Sequence, residues 1–117
     1  SVEIHSLSKD AVTLGVIVTE LVTNSLKYAF PDNMTGYIQV RLTQEHLGDT
    51  LSLVVEDNGI GIRTDAYKGG LGGLGTRIVD RLSAALGGDV EWLELDEASN
   101  ERPGTKIRII FPNTGEI

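Results

Sequence analysis

The sequence predicts an α+β fold, a two-layer sandwich of helices against a sheet. Two stretches, 10–29 and 74–86, carry apolar residues at helical spacing. Four others, 37–45, 51–56, 90–95 and 105–111, are short apolar or alternating runs of the strand type. These strands are grouped in pairs between and after the helices, unlike the alternating βαβ order of a parallel sheet. At 117 residues the chain can build one domain around one core, not two.

Val2 to Leu7 alternates weakly and predicts a short edge strand. Ser8 is placed to cap a helix, and Asp10 puts a negative charge in its first turn. The helix then runs on Val12, Leu14, Val16, Ile17, Leu21, Val22, Leu26 and Ala29. It is rich in β-branched residues, so tertiary packing must hold it. Pro31-Asp32-Asn33 ends it. Tyr37 to Glu45 alternates strictly, with Ile38, Val40 and Leu42 on one face and Gln39, Arg41 and Thr43 on the other. Gly48-Asp49 suits a tight turn, and Leu51 to Glu56 is the return strand of a hairpin. Residues 58–73 lack periodicity and predict a loop. Gly87-Gly88 stops the second helix. Val90 to Leu95 is a strand holding Trp92, Asp96 to Pro103 a polar loop, and Thr105 to Phe111 a last strand with Ile107, Ile109 and Phe111 inward.

Composition excludes several roles. Lys and Arg number 10 against 17 Asp and Glu, a formal net charge of -7, so a nucleic-acid or anionic-membrane surface is not expected. There is no cysteine, hence no disulfide and no thiolate metal site. No apolar run approaches the roughly 18 residues of a membrane span. The chain opens on Ser1-Val2-Glu3 without an initiator Met, as a piece of a longer protein would.

Three constellations point to chemistry. Glu20, Asn24 and Lys27 share one helix face at i, i+4 and i+7. They read either as a solvated face with a Glu–Lys pair or as a polar stripe toward a ligand. In the second case the Asn24 amide oxygen can join a Mg²⁺ shell of phosphate and water. Lys27 can then reach a phosphate as a point charge, and Glu20 can orient water or act as base. Asp57, with Gly59 and Gly61, ends an apolar strand. Its carboxylate can accept from the exocyclic amino group of adenine, where guanine presents a carbonyl instead. The glycines allow close backbone approach, and Ile60 and Ile62 offer apolar surface to a ring. An ordinary Asp-Asn-Gly turn is the alternative. Finally, Gly69 to Thr76 is glycine-dense and runs into a helix, so its N–H groups can cradle an anion; a plain loop is the alternative. Gly70, Gly72 and Gly75 satisfy G-x-G-x-x-G, but Thr64 to Lys68 is not the buried strand which that dinucleotide fingerprint must follow. Gly75 is followed by Thr76-Arg77, so a P-loop fails too.

In this order the motifs resemble those of sensor histidine kinases. Glu20-Leu21-Val22-Thr23-Asn24-Ser25-Leu26-Lys27-Tyr28-Ala29-Phe30-Pro31 looks like their asparagine box. Asp57-Asn58-Gly59-Ile60-Gly61 and Gly73-Leu74-Gly75-Thr76-Arg77-Ile78-Val79 look like their two glycine boxes, and Gly104-Thr105-Lys106-Ile107 like the last, Gly-Thr box. The chain is similar nearly throughout to the catalytic ATP-binding domain of the Bergerat-fold superfamily, which includes gyrase, the heat-shock chaperone ATPases and the mismatch-repair ATPases. The wording of the first box and the short lid resemble the HWE-type kinases of bacteria.

The resemblance implies a mixed, mostly antiparallel sheet with helices on one face, and residues 1–117 as a single catalytic domain without phosphoacceptor or sensor. It implies ATP and Mg²⁺ as cofactors. Asn24 would bind the metal, Lys27 approach the phosphate tail and Tyr28 the nucleoside. Asp57 would take adenine, supported through water by Thr105, with Gly59, Ile60, Gly61 and Ile62 lining the base pocket. Gly73 and Gly75 would wrap the phosphates, with Leu71, Leu74 and Thr76 in the same set. Residues 63–72 would be the lid. Glu20 and Lys27 would be the catalytic pair. The γ-phosphoryl group would pass to a His on a separate helical dimerisation domain of the same kinase, then to the receiver domain of a response regulator, in the cytoplasm. An isolated domain of this kind is expected to be monomeric. Thr76 stands where many members carry Leu, and no phenylalanine box separates the glycine boxes. His5 and His46 lack the long amphipathic helix of a phosphoacceptor. An anti-sigma-type serine protein kinase, and a degenerate phosphotransfer or docking module without ATP binding, are the alternatives.

Overall fold

The structure, a computed structural model, describes residues 8–61, 73–96 and 101–115, with the side chains of 73–76 excepted. The expected edge strand at Val2–Leu7, His5 and the expected lid at 63–72 lie outside the described residues.

Helix α1, Lys9–Tyr28, starts where the sequence places it. The Ser8 hydroxyl accepts from the Ala11 N–H at 3.1 Å, and Asp10 sits in the first turn. Leu14, Ile17, Leu21, Asn24 and Ser25 are its buried residues. Three of these are apolar and make the stripe that holds the helix to the core; the last two are polar. After α1 the chain turns through Pro31–Asn33, with Asp32 and Asn33 in the left-handed region that their short side chains tolerate.

Strands β1, Ile38–Glu45, and β2, Thr50–Asp57, form the expected hairpin. Helix α2, Gly73–Ala85, follows, then β3, Asp89–Leu93, and β4, Thr105–Pro112. The sheet order is β1-β2-β4-β3, and every described pairing is antiparallel. Leu51, Leu53 and Val55 of β2 and Ile107, Ile109 and Phe111 of β4 face one way. They meet Leu14, Ile17 and Leu21 of α1, Val79 of α2 and Leu86 just beyond it in one core. This is the open two-layer sandwich expected. β4 alternates buried and half-buried along nearly its whole length, as its sequence pattern requires.

Two expectations fail locally. The hairpin closes through four residues, His46–Asp49, because Glu45 pairs with Thr50. Gly48 and Asp49 share the connection with His46 and Leu47, and His46, Leu47 and Gly48 all have positive φ; Asn113 holds the far end, its Nδ2 donating to the Gly48 carbonyl at 2.8 Å and its N–H to the Asp49 carbonyl at 2.9 Å. The apolar face of β1 is also less covered than its alternation implies. Val40 is 43% and Leu42 45% exposed, because β1 is the outer strand of the described sheet and the core is built on β2 and β4. No helix among the described residues is long and apolar enough to cross a membrane.

Candidate functional site

The site forms where three chain segments meet: the end of α1, the turn after β2 and the start of β4. Asp57 is the last residue of β2 and is 1% exposed. A carboxylate is rarely buried so fully without donors around it. Here the Ser25 hydroxyl donates to Oδ2 at 2.9 Å and the Gly59 N–H donates to Oδ1 at 2.9 Å. The Thr105 backbone adds a third bond, so of the roughly four acceptor sites of a carboxylate one is left for another donor. Thr105, directly across the ladder on β4, is buried beside it.

Burial pushes the Asp57 carboxyl above the usual carboxylate range, partly offset by the Gly59, Ser25 and Thr105 hydrogen bonds. The sign for stability follows. A carboxyl with a raised folded value holds its proton more tightly folded than unfolded, so stability falls as pH rises from the ordinary carboxylate value through the raised one. Urea midpoints measured across this range should drop more steeply for the natural chain than for Asp57→Asn; parallel profiles would show that the carboxyl is not desolvated.

The turn after Asp57 is bound to its surroundings by backbone. Ile60 N–H donates to the Ala29 carbonyl at 2.9 Å, and Gly104 N–H donates to the Gly59 carbonyl at 3.0 Å. A Cβ at Gly59 would run into the Ala29 carbonyl, so only glycine lets the turn lie against the end of α1. Gly61 has φ 88°, in the region that favours glycine, and lies against Pro103.

On α1, Asn24 is 7% exposed and its Nδ2 is buried without a partner among the described residues. An orphaned amide in a core costs free energy. Glu20 is half-buried and Lys27 exposed, and no ion pair joins them among the described residues. The solvated Glu–Lys pair is therefore absent. Tyr28 and Ile60 are half-buried. Gly73, Leu74, Gly75 and Thr76 form the first turn of α2, the placement expected of an anion cradle. Ile62 and Leu71 lie outside the described residues. The structure thus brings Asn24, Asp57, Gly59, Gly61 and Thr105 into one region around the end of α1.

Ser25 is the site residue that reading the sequence for ligand chemistry missed. A signal was there: it falls on the buried stripe of an amphipathic helix, where a hydroxyl requires a buried partner. That partner is Asp57, 32 residues later in the chain.

The frame of the site is a helix pair on one face of an antiparallel sheet, with a buried strand-end carboxylate at the end of the first helix. Residues 9–115 match the family of histidine kinase-, DNA gyrase B- and HSP90-like ATPases, and the chain belongs to that family. Among its relatives is blue-light-activated histidine kinase 2 of Erythrobacter litoralis, 39% identical over 77 residues, covering 66% of this chain and 22% of that protein. The histidine kinase domain of the Erythrobacter litoralis EL346 blue-light activated kinase superposes with a TM-score of 0.72 at 32% identity, over 92% of this chain and 49% of that one. A mycobacterial sensor histidine kinase, MprB, gives 0.70 at 28% identity, over 91% of this chain and 76% of that one. The chain therefore resembles the catalytic domains of histidine kinases and spans about half or less of the Erythrobacter proteins it matches.

Proposed function

We propose that residues 1–117 are the catalytic domain of a longer histidine kinase, binding ATP with Mg²⁺ and delivering the γ-phosphoryl group to a His on a separate helical dimerisation domain. The response regulator's receiver domain is the next acceptor, and the domain works in the cytoplasm. The observation that carries the reading is Asp57: a buried carboxylate, held by Ser25, Gly59 and Thr105, with an acceptor site left for the adenine amino group.

The residues divide the work. Asp57 selects adenine, and Thr105 supports it from β4. Gly59, Ile60, Gly61 and Ile62 shape the base pocket, and Tyr28 lies along the nucleoside. Lys27, exposed on the last turn of α1, reaches the phosphate tail, while Leu71, Gly73, Leu74, Gly75 and Thr76 hold the phosphates near the start of α2. Glu20 orients the reacting groups. Among the described residues no three His, Cys, Asp or Glu side chains come together to hold a metal. A single amide ligand completed by phosphate and water suits Mg²⁺. Asn24 fits that role through its buried amide, whose unpaired end can present oxygen after rotation. When bound, the ion would neutralise phosphate charge, and the rest of the catalysis is positioning.

Asn24→Ala should weaken ATP binding in the presence of Mg²⁺ while leaving metal-free ADP binding unchanged. Calorimetry reads both; equal losses would mean that Asn24 shapes the pocket and holds no metal. The function itself is tested by mixing the domain with the dimerisation helices of the parent kinase and labelled ATP. An acid-labile, base-stable label on those helices is expected. An acid-stable label on serine would favour the serine-kinase alternative, and no nucleotide binding would favour a docking module.

A further inference from the structure

Arg102 lies in the loop before β4, outside every motif considered above. Its guanidinium bridges two carbonyls from distant parts of the chain. Nε donates to the Asn58 carbonyl at 2.9 Å, and Nη2 donates to the Thr35 carbonyl at 2.8 Å. Asn58 directly follows Asp57. Its Oδ1 accepts from the Tyr37 N–H at 2.8 Å, and its own N–H donates to the Tyr37 carbonyl at 3.4 Å. The loop after α1, the turn after β2 and the loop before β4 therefore converge on Asn58 and Arg102. Packing there is close: a Cβ at Gly36 would stand 2.5 Å from Asn58 Oδ1 and 2.9 Å from Arg102 Nη2. Backbone bonds fix the chain on both sides of the arginine, Asp96 N–H to Pro103 carbonyl at 2.7 Å and Gly104 N–H to Gly59 carbonyl at 3.0 Å.

We propose that Arg102 is a positioning residue for base recognition: it clamps the peptide after Asp57 so that the carboxylate meets adenine in register. This rests on the ATP-binding reading above. The guanidinium is permanently charged and presents donors in a planar fork, so it can hold two carbonyls at once. A recognition carboxylate must be placed to within about 0.5 Å, and loops alone place groups less well than braced ones. Arg102 is that brace at Asn58, added to the backbone bonds that hold Gly59 and Ile60 on the far side of the turn. Lysine, a point charge on a flexible stem, cannot reproduce the fork.

The test is a double-mutant cycle with ATP titrations of the natural chain, Arg102→Gln, Asp57→Asn and the double variant, at a temperature where all are shown to be folded. Hydrogen exchange of the Tyr37 amide is followed without nucleotide. Arg102→Gln should weaken ATP binding about tenfold, the size of one charge-assisted hydrogen bond. It should also speed exchange at Tyr37, and should have little further effect in the Asp57→Asn background. Arg102→Lys should recover only part of the affinity. The same factor lost in both backgrounds, full recovery by lysine, or a loss of stability with unchanged affinity would overturn the proposal. Failure of the natural chain to bind ATP would remove the site reading itself, and shows in the first titration, before any variant enters.

Discussion

Asp57→Asn should lower ATP affinity by about 2 kcal/mol, roughly thirtyfold, and abolish the preference for ATP over GTP. Both carboxylate oxygens accept from protein, one from the Ser25 hydroxyl and one from the Gly59 N–H. An asparagine can satisfy both only if its NH₂ turns to the hydroxyl, which can rotate to accept; the Gly59 N–H cannot. The oxygen that remains serves Gly59, and a donor now stands on the other side. Adenine then meets a donor where it brings one, and guanine no longer meets a repelling acceptor. The fold should survive, because the substitution also removes a buried charge, and the urea midpoint at neutral pH should stay or rise. Unchanged ATP affinity in a folded variant would sink the assignment of Asp57.

Gly59→Ala should destabilise the domain by about 2–3 kcal/mol, the range for overpacking in a tight site. For a chain of this size the melting temperature should fall by roughly 10–20 °C. The added methyl group would run into the Ala29 carbonyl, which already receives the Ile60 N–H. The turn cannot move off without releasing its bonds to Asp57 and Gly104. Gly15 provides the internal control. It lies mid-helix on α1 with nothing within 4 Å of an added Cβ, so Gly15→Ala should stabilise by about 0.5–1 kcal/mol. Thermal melts of the two variants should move in opposite directions. A Gly59→Ala variant as stable as the natural chain would mean that the turn does not press on α1.

Where local pattern and tertiary packing agree, the fold was legible from sequence. Ser8 and Asp10 mark the start of α1, and the spacing of Leu14, Ile17 and Leu21 marks its buried face. The alternation Ile107, Ile109, Phe111 gives β4 its inner face. The motif residues Asn24, Asp57 and Thr105 lie in one region around the end of α1. What could not be read arises from contacts between distant segments. Val40 and Leu42 alternate like any half-buried strand, but whether a face is covered depends on what lies over it. The connection around Gly48-Asp49 is held by Asn113, which sits 65 residues from Gly48 and donates to its carbonyl. Arg102 has no local signature, because its partners Asn58 and Thr35 are 44 and 67 residues away. Ser25 lies between: its partner is remote, but a hydroxyl on a buried helix stripe announces that one must exist.

The most direct test is a calorimetric titration of the purified domain with a non-hydrolysable ATP analogue, with and without Mg²⁺, and with a GTP analogue alongside. Adenine-selective binding that strengthens with Mg²⁺ is the expected result. No binding up to millimolar nucleotide, or equal binding of both purines, would contradict a nucleotide site built on Asp57 and Asn24, and would leave the fold as the scaffold of a docking module.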